Sequence, residues 1–510
     1  MIARADFALQ AEERTSVDNI EKLGLRDFTL GSLILPSLRK PDFQRETNHW
    51  SPEQVVSLLE CFVNGDLIPS VILWKSSLYL FVIDGGHRLS VLRGWVEDDY
   101  GDGAISQQFF GYEISKEQKR IAKHTRELVE GRIGKYAQIN ARLHQHDIPD
   151  DERRRWTALA SRALHIQWVS GNAEKAESSF FKINTEGTPL DDIEELLLRN
   201  RRRPIAIAAR AVIRAGKGNR YWSQFHEATT KKIEDTAHDL HQILFEPEAK
   251  RPVKTLDLPL GGSKGLRTAL QVLIDFMTIA NRNQDGKPDR LQDYPDDETG
   301  ESTIEVLKKS RGLAGRITGN DKGSLGLHPA VYFYGPTGVH SGPMFMGTVA
   351  LIGRKLASNS TDFFMKFSAV REQVEKALVT YKDLIATILQ RQPSVRRNRT
   401  YEELLEKLIG SVSTSVEPTD EWCVENAGLK GQVLTGNTLM HATGFSDDIK
   451  SQAFISVALK GVPCCAICGG YLDAEKSISY DHDVPRRDGG RGDIHNLQLT
   501  HPYCNQSVKH

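Results

Sequence analysis

Two half-sites near the C-terminus have the spacing of metal ligands. Cys465-x-x-Cys468 and His501-x-x-Cys504 together offer three thiolates and one imidazole, the donor set of a closed, tetrahedral structural zinc site. Six cysteines occur in the chain, four of them at 464, 465, 468 and 504, and such clustering favours a metal over disulfides. Cys464 sits one residue too far from Cys468 for the usual knuckle. Between the half-sites lie Asp481-His482 and Asn496, and Asn505 follows Cys504. Phosphodiester hydrolysis needs an activated water, a metal to hold charge on the scissile phosphate and a group to orient the base. A histidine beside a hard oxygen ligand meets the first two needs. Taken alone, Asp481-His482 would read as a polar turn ahead of Val484-Pro485; bracketed by both half-sites and two asparagines, it reads as a reaction centre.

The order D-H-x-x-P, a Gly-Gly loop, N-L and C-N-x-x-x-K, read from residue 481 onward, resembles the HNH endonuclease family. The resemblance implies a ββα-metal fold with one catalytic divalent ion. It implies that His482 is the general base, that Asp481 and Asn505 are the metal ligands, that Asn496 steadies the base imidazole, and that Cys465, Cys468, His501 and Cys504 hold zinc. Hard oxygen and amide ligands suit Mg²⁺ or Mn²⁺. Two positions depart from the common pattern: His501 stands where cysteine is more usual, and Asp483 where an apolar residue is common. Arg486, Arg487 and Arg491 lie in the Gly-rich loop; they read equally as phosphate contacts or as a solvated basic loop.

A second motif is V-I-D-G-G-H-R-L at 82–89. An apolar strand ends at Asp84, two glycines (Gly85 and Gly86) turn the backbone, and His87 and Arg88 open a helix whose N-terminus favours an anion. With PDFQRETNHW (41–50), IPSVILW (68–74) and FFKINTEGTPLDD (180–192), it resembles the ParB/sulfiredoxin-like superfamily, in the D-G-Q-Q-R or D-G-Q-H-R branch of modification-dependent restriction and phage-defence proteins. The resemblance implies a nucleoside triphosphate site with NTPase activity in some members, built here from Gln44, Arg45, Asp84, Gly85, Gly86, His87, Arg88 and Asn184. Gly86 replaces the branch's Gln, which bears on hydrolysis more than on binding. No cysteine stands between Gly85 and His87, so sulfinic-acid reduction is excluded.

The elements that must position these groups follow from pattern. Ser51 and Pro52 open a helix that Gly65 stops, with Val55, Leu58, Leu59 and Phe62 as its apolar face. SVILWK and YLFVID read as strands, and LHIQWVSG (164–171) as another. Residues 200–410 read as mainly helical, with loops at 283–302 and 319–347 and a linker at 411–420. Trp222, His226, His238 and His241 read as surface or satisfied core residues. The result is an α+β multidomain chain: a ParB-like α/β domain over 1–200, a mostly helical middle over 201–410, linker and approach helices over 411–463, and the HNH domain over 464–510.

With 510 residues, the chain has room for roughly two to four domains. A net charge of −1 counts against a surface coated in nucleic acid but allows a local basic groove. The sequence carries no membrane-length apolar run and no signal-peptide h-region at its start, and a cytoplasmic location is expected. These features predict a DNA endonuclease, an antiviral effector acting on phage or modified DNA, whose cut is controlled by nucleotide or modified-DNA sensing. The helical middle then transmits the signal or forms a homodimer surface. The alternative is a DNA-binding regulator of a DNA-modification system with a weak or inactive nuclease module.

Overall fold

The computed structural model describes all residues except 1, 3, 6–19, 42–49, 77, 110–113, 115, 144, 146–147, 187–191, 218–221, 223–224, 263–265, 283–289, 430–444 and 509–510. The chain divides into two compact units, Met1–Arg199 and Asn200–His510. It is α+β and mostly helical. Among the described residues, no helix is long and apolar enough to cross a membrane.

The first unit is built on a mixed six-stranded sheet of β1 (Arg4–Ala5), β2 (Lys22–Gly24), β3 (Leu38–Pro41), β4 (Val71–Lys75), β5 (Leu80–Asp84) and β6 (Ala163–Val169), in the order β1-β3-β5-β4-β6-β2. β4 and β5 pair antiparallel across a short turn that Ser76 closes on Tyr79. β6 joins β4 in parallel after the long helical excursion between them. The runs VILWK and LFVID are almost wholly buried, as strands covered on both faces must be.

The helix Pro52–Asn64 starts as its sequence predicts. Ser51 and Gln54 form a reciprocal capping box, and Gly65 ends the helix at φ +82°. Its buried face is Val56, Leu59, Phe62 and Val63, with Val55 and Leu58 half-buried at the margin. The apolar stripe is therefore rotated slightly from the expected one, because the helix packs against both Gly86–Val96 and Lys116–Arg132.

The second unit is a helical assembly that includes Pro204–Ile213, Glu227–Phe245, Leu266–Ala280, Glu301–Ile317, Gly342–Ala357, Thr361–Thr380, Lys382–Arg391 and Arg397–Ser413. His226 accepts from the Ala228 amide at the start of one of these helices, and His241 Nδ1 lies 2.8 Å from the Val212 carbonyl. Both histidines thus serve local structure.

The segment 319–347, expected as a loop, is largely core. Leu325, Leu327, His328, Tyr332, Phe333, Tyr334 and His340 are buried. Burying irregular backbone requires partners for its carbonyls. Arg371 donates to the Leu325 and Gly326 carbonyls, and Lys382 donates to those of Ala330, Val331 and Tyr334. The expected linker at 411–420 is also partly helical: Arg397–Ser413 runs into it, and Thr419 caps Asp420–Asn426.

Candidate active site and metal centre

The last element pair is the antiparallel hairpin of β7 (Ser479–His482) and β8 (Leu497–Thr500). Its register sets Asp481 opposite Gln498 and His482 opposite Leu497. Alternation along β7 puts Ser479 and Asp481 on one face and Tyr480 and His482 on the other. On the first face Gln498 Nε2 donates to Asp481 Oδ2 at 3.0 Å, and Asn505 Nδ2 donates to Ser479 Oγ at 2.8 Å. The chain turn carrying Asn505 therefore reaches the same side of the hairpin as Asp481.

His482 borders an open pocket of about 310 Å³ lined also by Arg486, Arg491, Asp493, Ile494 and Leu497. Arg486 Nε donates to His482 Nε2 at 3.3 Å. That contact needs a lone pair on Nε2, the form a general base requires. The lining is net basic, with Arg486 and Arg491 against Asp493, and includes the apolar Ile494, 75% exposed.

Asn496 ends the 3₁₀ turn that leads into β8. Its carboxamide accepts from the Val484 amide and donates to the carbonyls of Val484 and Arg491. It clasps the backbone of the loop after His482. Gly490 lies beneath this clasp, where an added Cβ would collide with the Val484 carbonyl and press on Asn496 Nδ2.

Cys465, Cys468, His501 and Cys504 come together, with all four ligand atoms within 4.8 Å of one another; Cys465, His501 and Cys504 are buried and Cys468 is half-buried. His501 Nδ1 faces the sulfurs, 3.3 Å from Cys468 Sγ and 3.9 Å from Cys504 Sγ. Its Nε2 lies 3.0 Å from the Tyr471 carbonyl, which fixes the N–H there and leaves the Nδ1 lone pair for a metal. Burial lowers the His501 pKa, favouring the neutral ring that ligation needs. Hydrogen bonds from Cys468 and Cys504 hold the Cys465 thiol far below its ordinary range. A soft thiolate-rich donor set around a small closed centre suits a tetrahedral metal.

Beneath this centre runs a contact that sequence patterns did not reveal. Arg371 and Glu375, on the helix Thr361–Thr380, form an ion pair at 2.7 Å with side chains only 2% and 0% exposed. An i,i+4 Arg/Glu pair in a charged helix ordinarily signals a solvated face, so only the three-dimensional packing reveals its burial. Burial, the largest single effect, would lower the Arg371 pKa, but Glu375, Tyr332 and Cys468 together outweigh burial and hold the guanidinium charged.

In the first unit, β5 ends at Asp84, Gly85 takes φ +94°, and the helix Gly86–Val96 begins. Glycine is required at 85, since a Cβ there would sit 2.9 Å from Val71 Cγ2 in addition to the left-handed backbone. Arg88 donates to Asp84 Oδ2 at 2.5 Å and to the Ser70 carbonyl at 3.1 Å. His87 stacks on Trp50, with ring centroids 5.6 Å apart. Gln44 and Arg45 lie outside the described residues; Asn184 lies in the helix Ala173–Glu186, with its side chain outside them.

Comparison with curated proteins and with solved structures gives no match. Two family models do match: "GmrSD restriction endonuclease, N-terminal domain" over residues 20–201 and "HNH endonuclease" over residues 465–510. The second span contains the hairpin, the basic pocket and the Cys/His centre. The chain thus joins a restriction-endonuclease N-terminal domain to a metal-dependent HNH endonuclease domain, and it hydrolyses the phosphodiester bonds of DNA.

Proposed function

We propose that this chain is a conditional, phage-directed DNA nuclease in which His482 is the general base and a ligand of the N-terminal domain licenses the cut. The observation that carries the reading is that His482 borders a basic pocket at the end of β7, with Asp481 beside it in the strand and Asn505 bonded to Ser479 of the same strand.

His482 Nε2 takes a proton from the water that attacks phosphorus, exchanging its contact with Arg486 for one with that water. Arg486 and Arg491 bind the flanking phosphates, for which arginine's paired donors are suited. Asp481 supplies carboxylate oxygen and Asn505 a carboxamide, hard donors that fit Mg²⁺ or Mn²⁺ with waters completing the shell. Such an ion, when bound, stabilises charge on the scissile phosphate and the leaving oxygen. Gln498 and Ser479 orient the two ligands through their hydrogen bonds. Zinc in the Cys465, Cys468, His501 and Cys504 centre acts structurally, tying the base of the hairpin to the turn that carries Asn505.

The N-terminal trigger is a nucleoside triphosphate or modified DNA. The turn Asp84-Gly85-Gly86 at the start of the helix Gly86–Val96 offers backbone N–H groups to phosphate. The ion pair of Arg88 with Asp84 poises the guanidinium to move onto an incoming phosphate. Trp50, stacked on His87, supplies an aromatic face for a base.

The test uses purified protein with plasmid or modified phage DNA and Mg²⁺ or Mn²⁺, with and without each nucleoside triphosphate. Cleavage that depends on one nucleotide or modification, and that Asp84→Ala or Arg88→Ala uncouples from it, supports the reading. Nucleotide binding, cleavage and phage protection all unchanged in both variants would remove the trigger from this pocket.

A further inference from the structure

The ion pair Arg371–Glu375 is buried inside a protein whose other long charged side chains mostly face water, and Glu375 also accepts a hydrogen bond from Tyr471, beside the Cys/His centre. Glu375 Oε1 accepts from Arg371 Nε at 2.7 Å and from the Tyr332 hydroxyl at 2.9 Å. Its Oε2 accepts from the Tyr471 amide at 2.6 Å. The carbonyl of the same Tyr471 is the partner of His501 Nε2. All three groups on Glu375 are donors, so only an acceptor-only carboxylate satisfies them together.

The fit around this junction is close. A Cβ at Gly470 would lie 2.6 Å from Arg371 Nε, and one at Gly469 would lie 2.7 Å from Glu372 Oε2. From the other side, a Cβ at Gly326 would lie 2.9 Å from His501 Cδ2. The knuckle turn between Cys468 and Tyr471 thus rests directly on the helix Thr361–Thr380. His501 in turn accepts the Asn505 amide on its own carbonyl at 3.0 Å.

We propose that Glu375 is a positioning residue of the nuclease domain: by holding the Tyr471 amide, it sets the Tyr471 carbonyl against His501 Nε2 and so aims the Nδ1 lone pair at the metal. The helical region beside the HNH domain is then part of its metal centre. A ligand-induced shift of Thr361–Thr380 has a direct route, through Tyr471 and His501, to the turn bearing Asn505. The inference rests on the zinc reading of the Cys/His centre.

Three variants of the full chain test it, each read by zinc release to a competing chromogenic chelator and by thermal melting. Glu375→Asp keeps the charge that Arg371 needs but draws the carboxylate back from Tyr471. Glu375→Gln keeps the length but turns one end into a donor. Arg371→Met with Glu375→Leu removes the pair and also strips the buried Leu325 and Gly326 carbonyls of their donor, so it should lower melting most. The expected result is zinc release about tenfold or more faster in all three, the scale of lost outer-shell support, and out of proportion to melting, which falls most in the double variant. Wild-type release rates in Glu375→Asp and the double variant would overturn the proposal. So would release that simply tracks melting temperature, since Glu375 would then act only in packing. A wild-type protein that holds no zinc would refute the zinc reading itself, a failure distinguishable because it appears before any substitution.

Discussion

The carboxamide of Asn496 and the backbone of Val484 exchange a pair of hydrogen bonds, Val484 N–H to Oδ1 at 2.7 Å and Nδ2 to the Val484 carbonyl at 3.1 Å. A third bond, to the Arg491 carbonyl at 2.7 Å, draws in the far end of the same loop. The side chain thus mimics a strand edge and closes the loop that follows His482. The clasp predicts which substitutions should imitate one another.

Asn496→Ala and Gly490→Ala should share a phenotype. The first removes the clasp, and the second forces it apart sterically. Each half-exposed hydrogen bond contributes only about 0.5–1.5 kcal/mol to folding, so global melting should change little. A base displaced by roughly 1 Å can lose about 10²-fold in rate. Plasmid cleavage should therefore fall by about one to two orders of magnitude in both variants while zinc content stays at the wild-type level. Full activity in both would remove the loop from catalysis.

Metal removal should act on folding as well as on rate. Structural zinc contributes on the order of 10 kcal/mol to the folding of small domains, and the Cys465, Cys468, His501 and Cys504 ligands tie the hairpin to the Asn505 turn. Cys465→Ala should abolish stoichiometric zinc by elemental analysis, lower the melting temperature and eliminate cleavage. Excess Mg²⁺ should not rescue it, since a thiolate site does not select a hard ion. Rescue by Mg²⁺ alone would show that the centre is dispensable.

Asp473 gives a pH dependence of defined sign. Burial pushes its pKa up to about 6, although Lys476 lowers it, and Asp257 faces the same lysine. A carboxyl raised above its unfolded value binds more protons when folded, so its contribution declines as pH rises from about 4 to 6 and is flat above. Asp473→Asn should remove that slope, a difference of at most roughly 2–3 kcal/mol, visible by comparing denaturation midpoints of variant and wild type across this window. Parallel curves for the two proteins would place the titration elsewhere.

The site was more legible in the sequence than the surroundings that hold it. Cys465, Cys468, His501 and Cys504, like Asp481 and His482, stand out in the sequence because metal coordination and base catalysis demand particular donors at short, fixed spacings, and the fold brings the first four together. Strands such as Leu80–Asp84 were legible because burial on both faces leaves a continuous apolar run. The burial of 319–347 was not, because glycines and prolines mark a loop whether or not Arg371 and Lys382 arrive to satisfy its carbonyls. The Arg371–Glu375 pair was hidden for the same reason: sequence spacing locates both on one helix face but says nothing of what covers that face. Gln498 and Ser479 were missed because their roles depend on cross-strand register, which only the paired hairpin fixes.

The most direct measurement is cleavage of plasmid DNA by the wild type and by His482→Ala under the same Mg²⁺ or Mn²⁺ and trigger conditions. General-base catalysis of this kind contributes roughly 10²–10⁴-fold. The account predicts a loss on that scale in His482→Ala, with zinc content and melting temperature unchanged. Equal cleavage by the two proteins would contradict it.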